Sequence, residues 1–184
     1  MLTSVDLHKL RIVLYPEPVL HEHCQPVSRF GAPLRALGAR MLELMHAGKG
    51  IGLAAPQVGL AVRMFVCNHT GNPEDDRVYI DPELTDLVGS AEADEGCLSL
   101  PDVTVPVRRA QSVTLTACDV EGKALRVTGT DLEARVWLHE TDHLDGHLII
   151  DHMPTSAELA NRRILKQLKA DYHARNKNRQ VPSR

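Results

Sequence analysis

Residues 137–146 read WLHETDHLDG. His139 and His143 lie four positions apart, so on a helix they share one face, one turn apart, and can hold one metal ion. Glu140 follows the first histidine, where it can reach water at such an ion without being a ligand. This H-E-x-x-H spacing is a metallohydrolase signature. The alternative is a solvated helix face with two chance histidines. Trp137, Leu138 and Leu144 oppose it, because they give the segment an interior side.

Working outward, the surrounding pattern predicts a helix from Asp131 to Leu144, opened by a Thr130/Glu133 capping box and stopped at Gly146. A second helix is expected from Pro33 to Ala47. Leu34, Leu37, Met41 and Leu44 recur at helical spacing there, and Gly48 and Gly50 end it. A third is expected from Ser156 to Arg175, with Thr155 and Glu158 as another box and Leu165, Leu168 and Tyr172 as its apolar stripe. Between the first two, Val62–Cys67, Arg77–Asp81, Ser112–Cys118 and Ala124–Thr128 read as strands, with a turn at Glu121-Gly122-Lys123. No regular βαβ alternation appears, so the expected class is α+β. Mostly antiparallel sheets would surround the central helix that carries the histidines, with a further helix at the C-terminus.

The 184 residues, 43% hydrophobic and 24% charged, suit one globular domain over residues 1–175. Only 3% are aromatic, so aliphatic side chains must build the core. The net charge of −3 offers no global argument for nucleic acid or membrane binding. Charge is uneven, however. Residues 156–184 hold eight basic and two acidic side chains, a net +6 on an acidic body. A basic arm of that kind suits a polyanionic partner. Residues 176–184 are polar and expected to be disordered. The N-terminus lacks the apolar run of a signal peptide and no stretch is long enough to span a bilayer, which favours the cytoplasm. Thiols stay reduced there, so Cys24, Cys67, Cys97 and Cys118 are expected to be free.

A metal site needs a third protein ligand. His147, His152 and Glu158 lie downstream but fit no familiar spacing. Cys97, in EGCLSLP at residues 95–101, lies 42 residues before His139 and offers a soft anionic donor. A further segment, GKGIGLAAPQVG at residues 48–59, is rich in small residues that allow close approach of another backbone. Its Gln57 carries an amide donor suited to an oxyanion.

Three stretches together resemble the peptide deformylase family, whose motifs are written GxGLAAPQ, EGCLS and HExDH. Here they stand, in the family's order, as Gly50-Ile51-Gly52-Leu53-Ala54-Ala55-Pro56-Gln57, Glu95-Gly96-Cys97-Leu98-Ser99 and His139-Glu140-Thr141-Asp142-His143. The likeness covers most of residues 10–152. It implies an enzyme that removes the formyl group from N-terminal formyl-methionine of new polypeptides and releases formate. It implies one divalent ion on Cys97, His139 and His143, Fe(II) in the cell, with Zn, Ni or Co able to replace it. Glu140 would act as base and then acid; Gln57 and the backbone N–H of Leu98 would face the formyl oxygen. The alternation Cys97-Leu98-Ser99-Leu100 is expected to be strand, sending Cys97 and Leu98 to opposite sides. The peptide would lie as an added strand along Gly50, Ile51 and Gly52, with Leu98, Leu132, Arg135 and Val136 around the methionine side chain. Lys49 puts a charge near that path. The basic last helix resembles that of family members that dock on the ribosome.

Two other enzyme readings compete. Cys97 with His139 could be a thiol nucleophile and its base, but that leaves Glu140 and His143 idle. An H-E-x-x-H peptidase would cleave internal or unblocked peptides. A metal-holding ribosome-binding module is the non-enzymatic alternative.

Overall fold

In the computed structural model, residues 5–179 are described. Seven strands form two antiparallel sheets. The larger contains β1 (Gly52–Ala54), β2 (Met64–Cys67), β3 (Arg77–Val88), β6 (Ser112–Cys118) and β7 (Ala124–Thr130), in the order β1-β2-β3-β6-β7. The smaller is a hairpin of β4 (Ala91–Cys97) and β5 (Leu100–Arg109). Three helices complete the fold: α1 (Ala32–Ala47), α2 (Asp131–Leu144) and α3 (Thr155–Arg179). The α+β class, the central histidine-bearing helix and the C-terminal helix agree with expectation.

Period-two alternation in the strands divides the core. Phe65 and Cys67 of β2 face one way, with Tyr79, Val113 and Leu115, and pack against Ala134, Val136 and Trp137 of α2. Met64 and Val66 face the other way and meet Leu34, Leu37, Met41 and Met45 of α1. β2 is therefore buried on both faces, as its unbroken apolar run Met64-Phe65-Val66-Cys67 requires. A third cluster joins Val103, Val105 and Val107 of β5 to Leu20, Leu148 and Leu168 of α3. Each such cluster removes roughly 1.5–3 kcal/mol of apolar side chain from water per large residue. α2 is thus clamped between the large sheet and the hairpin, and that clamp brings the motifs together. No helix among the described residues is long and apolar enough to cross a membrane.

Several expectations need correction. β1, β4 before Cys97 and β5 after Leu100 are strand that the sequence pattern did not mark. β4, AEADEGC, has no β-branched residue, and pairing with β5 makes it a strand. β3 continues past Asp81 to Val88 through two register shifts, the first of which, between Ile80 and Glu83, accommodates Pro82 and its missing N–H. Neither capping box forms. Thr130 makes no side-chain cap; the start of α2 is held instead by Asp131 N donating to Gln111 O at 2.7 Å. Thr155 is already the first residue of α3. α3 runs on to Arg179, so residues 176–179 of the expected disordered tail are helical, and residues 180–184 lie outside the described residues. α1 closes with Gly50 N donating to Met45 O at 2.9 Å, and the left-handed residue in that closure is Lys49, at φ 57°, rather than a glycine.

Candidate active site

α2, the β4–β5 hairpin and the chain on either side of β1 enclose a cavity of about 470 Å³. α2 contributes His139 and Glu140, the hairpin Cys97 and Leu98, and the third segment Gly50, Ile51, Gly52 and Gln57. All three sequence motifs therefore open onto one space. Leu132, Arg135 and Val136 also line it.

Cys97, His139 and His143 offer one ligand atom each, all within 4.8 Å of one another. Cys97 Sγ lies 3.3 Å from His143 Nε2. A sulfur and a nitrogen bound to one tetrahedral divalent ion stand roughly 3.5 Å apart, given bonds of about 2.3 and 2.0 Å. The donor set and its spacing fit such an ion. His147, His152 and Glu158 are not in the cluster; His152 Nε2 instead meets Asp142 at 3.0 Å.

His139 is oriented by a carboxylate. Its Nδ1 pairs with Glu95 Oε2 at 2.9 Å, which leaves Nε2 for the cluster. Burial works against a charge on His139, but hydrogen bonds to Cys97 and Glu95 outweigh it and raise the ring's pKa well above the ordinary imidazole value. A metal ion bound at Nε2 would have to displace that proton. His143 behaves in the opposite way. Burial, then the positive charges of His139 and Arg109, push its pKa well down, so its lone pair is free.

Glu95 would be raised by burial. Hydrogen bonds from His139 and Arg109 reverse this and hold its carboxyl well below the usual range. Arg109 Nε and Nη2 each bond Glu95 at 2.9 Å, and its Nη1 reaches Asp142 at 2.6 Å. Arg135 adds a bond to Glu95 at 2.7 Å and ties itself to Val107 O and Ala91 O. Sequence reasoning missed Glu95, Arg109 and Asp142. Glu95 stands two residues before Cys97 within its motif, and Asp142 stands within the helix motif, so both carried a signal. Arg109 carried none.

Glu140 is 3% exposed, and its Oε2 has no hydrogen-bond partner. Burial pushes its pKa up to about 7, against the pull of His139. A carboxyl poised near neutral pH can both take and give a proton. Its Oε1 fills the space that a Cβ on Gly52 would occupy. Gln57 is fixed by its own turn: Ala54 N donates to Gln57 Oε1 at 2.8 Å. That aims Gln57 Nε2 at Cys97 Sγ and Ser99 Oγ, both 3.4 Å away.

Leu98 is the one site residue whose local structure differs from expectation. β4 ends at Cys97, and Leu98-Ser99 form the two-residue turn to β5, closed by the Cys97–Leu100 pair. The strand alternation expected across Cys97 and Leu98 does not exist. The turn sends the Leu98 side chain over Gly48 and Gly50, and a Cβ on Gly50 would meet Leu98 Cδ1 at 2.7 Å.

Residues 9–158 match the polypeptide deformylase family. The chain is similar to a peptide deformylase of Acidobacterium capsulatum, 43% identical over 162 residues, 86% of this chain and 95% of that protein. Among solved structures it is similar to Arabidopsis thaliana peptide deformylase 1B, with a TM-score of 0.87 at 34% identity, covering 95% of this chain and 96% of that one. The peptide deformylase of Plasmodium falciparum gives a TM-score of 0.86 at 33% identity, over 89% and 98% of the two chains. These likenesses span the same residues that build the cavity, from the segment before β1 to the end of α2. The chain belongs to the polypeptide deformylase family.

Proposed function

We propose that the cavity hydrolyses the formyl group of an N-terminal formyl-methionine, with Glu140 moving the protons and Gln57 and the Leu98 N–H holding the formyl oxygen. As a deformylase the protein is a metal-dependent hydrolase of newly made polypeptides, and its product is formate. One observation carries the reading: Cys97, His139 and His143 converge beside a buried Glu140 with an unpartnered oxygen, at a cavity that residues of β1 and β4 line.

The slot has two edges. Among the described residues β1 pairs only with β2, and β4 only with β5, so each keeps one side without a strand partner there, and residues of both line the cavity. An extended peptide along Gly50, Ile51 and Gly52 uses main-chain groups, which read little side-chain information and suit an enzyme with many substrates. Leu98, Leu132 and Val136 surround the methionine side chain.

Cys97, His139 and His143 would hold one divalent ion, which would supply Lewis acidity and lower the pKa of water toward neutral. Fe(II) is the proposed ion in the cell, with Zn, Ni or Co as substitutes, because the mixed sulfur and nitrogen set serves all of them. Glu140 takes a proton from the attacking water and delivers it to the departing amine nitrogen. Gln57 is already aimed by Ala54, so it donates to the developing oxyanion without reorganising. With Cys97 joined to both histidines, a thiol nucleophile served by His139 alone leaves the position of His143 unexplained.

The test is formate release from formyl-Met-Ala, measured anaerobically with metal analysis of the same sample. Full metal occupancy without formate would overturn the reading. Release from an unblocked or internal peptide bond instead would favour the peptidase. We also propose that α3 binds the ribosome through the exposed Arg162, Arg163, Lys166 and Lys169, which places the enzyme beside nascent chains in the cytoplasm. Replacing Arg162, Arg163 and Lys166 with Gln should abolish co-sedimentation with ribosomes; retention would refute the docking.

A further inference from the structure

Two charges at the mouth of the slot have no partner. Lys49 lines the cavity three residues before Gly52, and Asp94 lines it three residues before Cys97. Both are exposed. Their neighbours are occupied: Glu95 by Arg109 and Arg135, and Glu92 by Arg108. Neither Lys49 nor Asp94 forms an ion pair among the described residues. Lys49 is also placed at some cost. It sits at φ 57°, the left-handed position of the α1 closure, where glycine is the usual residue. Gly50 N bonds Met45 O across it at 2.9 Å and holds it there.

We propose that Lys49 is a specificity-determining residue of the deformylase, favouring peptides with a carboxylate two or three residues after the formyl-methionine. The inference rests on the activity proposed above. Glu140 abuts Gly52, so the reacting end of the substrate lies at that level. An extended peptide advances about 3.3 Å per residue, and Lys49, in the turn three residues before Gly52, lines the cavity where the second or third residue after the formyl-methionine passes. Main-chain pairing along Gly50–Gly52 leaves the side chains of those residues unread. An unpaired ammonium beside them is the first group able to distinguish them. Asp94 on the opposite wall repels the same carboxylate, so an acidic side chain settles toward Lys49 and a basic one toward Asp94.

The experiment compares kcat/KM for formyl-Met-X-Ala and formyl-Met-Ala-X amides with X as Glu, Gln or Lys. It uses the metal-loaded wild type and the variants Lys49→Gln, Lys49→Glu and Lys49→Gly. Lys49→Gly suits the left-handed backbone and guards against a folding defect. The expected result is that the ratio for Glu over Lys peptides falls about two- to five-fold in Lys49→Gln and Lys49→Gly, and further in Lys49→Glu. The change should appear in KM and fade as salt rises toward about 1 M, where screening reaches roughly 3 Å. Formate release with the same ratio in all four proteins would overturn the role of Lys49 and leave the activity standing. No formate from any peptide would overturn both.

Discussion

Glu95 accepts two hydrogen bonds of 2.9 Å from Arg109, one on each carboxylate oxygen. Arg109 is on β5 and Glu95 on β4, and the third bond of Arg109 crosses to Asp142 on α2. The guanidinium therefore ties the hairpin that bears Cys97 to the helix that bears both histidines. Replacing it with Met leaves Glu95 with Arg135 and His139 and Asp142 with His152, so the cost should stay below the roughly 3–5 kcal/mol of a buried charge left with no partner. Losing the orientation of His139 through Glu95 should also weaken metal binding about 10- to 100-fold. Thermal unfolding and metal titration of Arg109→Met measure both. A variant as stable and as tightly metallated as wild type would contradict the tie.

Gly52 should be intolerant of any side chain for a local reason. Its missing Cβ is the space taken by the Glu140 carboxyl. Gly52→Ala is expected to displace Glu140 and reduce kcat about 10²–10⁴-fold, the range of a lost general acid–base group. Metal content and the circular dichroism spectrum should stay unchanged, because the change touches no ligand. A loss of metal in place of kcat would mean that the displacement reaches His139 or His143.

Glu140→Ala isolates proton transfer from metal binding. Glu140 makes no hydrogen bond to Cys97, His139 or His143 among the described residues, and its Oε2 has no partner. Its removal should keep the ion and lower kcat about 10²–10⁴-fold. Stability should barely fall, since the variant no longer has to bury a carboxyl. Retained turnover would rule out Glu140 as the proton carrier.

Two thiols should make the protein lose stability on the alkaline side. Burial pushes Cys24 up to about 11 and Cys67 up to about 12, and it also raises Tyr79. Each group is neutral in the folded chain while the unfolded chain has begun to ionise. Protons are then bound more tightly by the folded state, so stability is full below about pH 9 and falls as pH rises toward 11 and 12. The slope is about 1.4 kcal/mol per pH unit for each group in its window. Cys67→Ala should flatten the fall in Tm between pH 9 and 11. An identical slope in the variant would remove Cys67 from the account.

Much of the site was legible because its chemistry is local. His139, Glu140 and His143 declare themselves within five residues, since helical spacing alone puts both imidazoles on one face. Gln57 and the glycines of Gly50–Gly52 stand in one short segment, and the α2 bounds Asp131–Leu144 agree with those read from Thr130, Glu133 and Gly146, although the capping box does not form. Cys97 was expected on a strand, but the strand's course before it was not legible. AEADEGC has no β-forming pattern, and only its pairing with β5 makes it β4. The strand expected across Leu98 is a turn instead, because a two-residue turn and a strand look alike in Cys-Leu-Ser-Leu.

The sequence by itself determined the reacting groups: which side chains can bind an ion, which can move a proton, and which class of fold surrounds them. Only the tertiary structure decided how they are held at working distance. Arg109 lies 33 residues from Asp142 and 14 from Glu95, and nothing in its neighbourhood marks it as part of the site. The hairpin, α2 and the edge of the large sheet are separate elements, and their spacing is set by core packing and by that buried ion network. The same packing places Lys49, left-handed and unpaired, at the mouth of the slot. Local spacing can specify the chemistry of a group, but burial, long-range pairing and the edges left open by two sheets exist only once the chain has closed on itself.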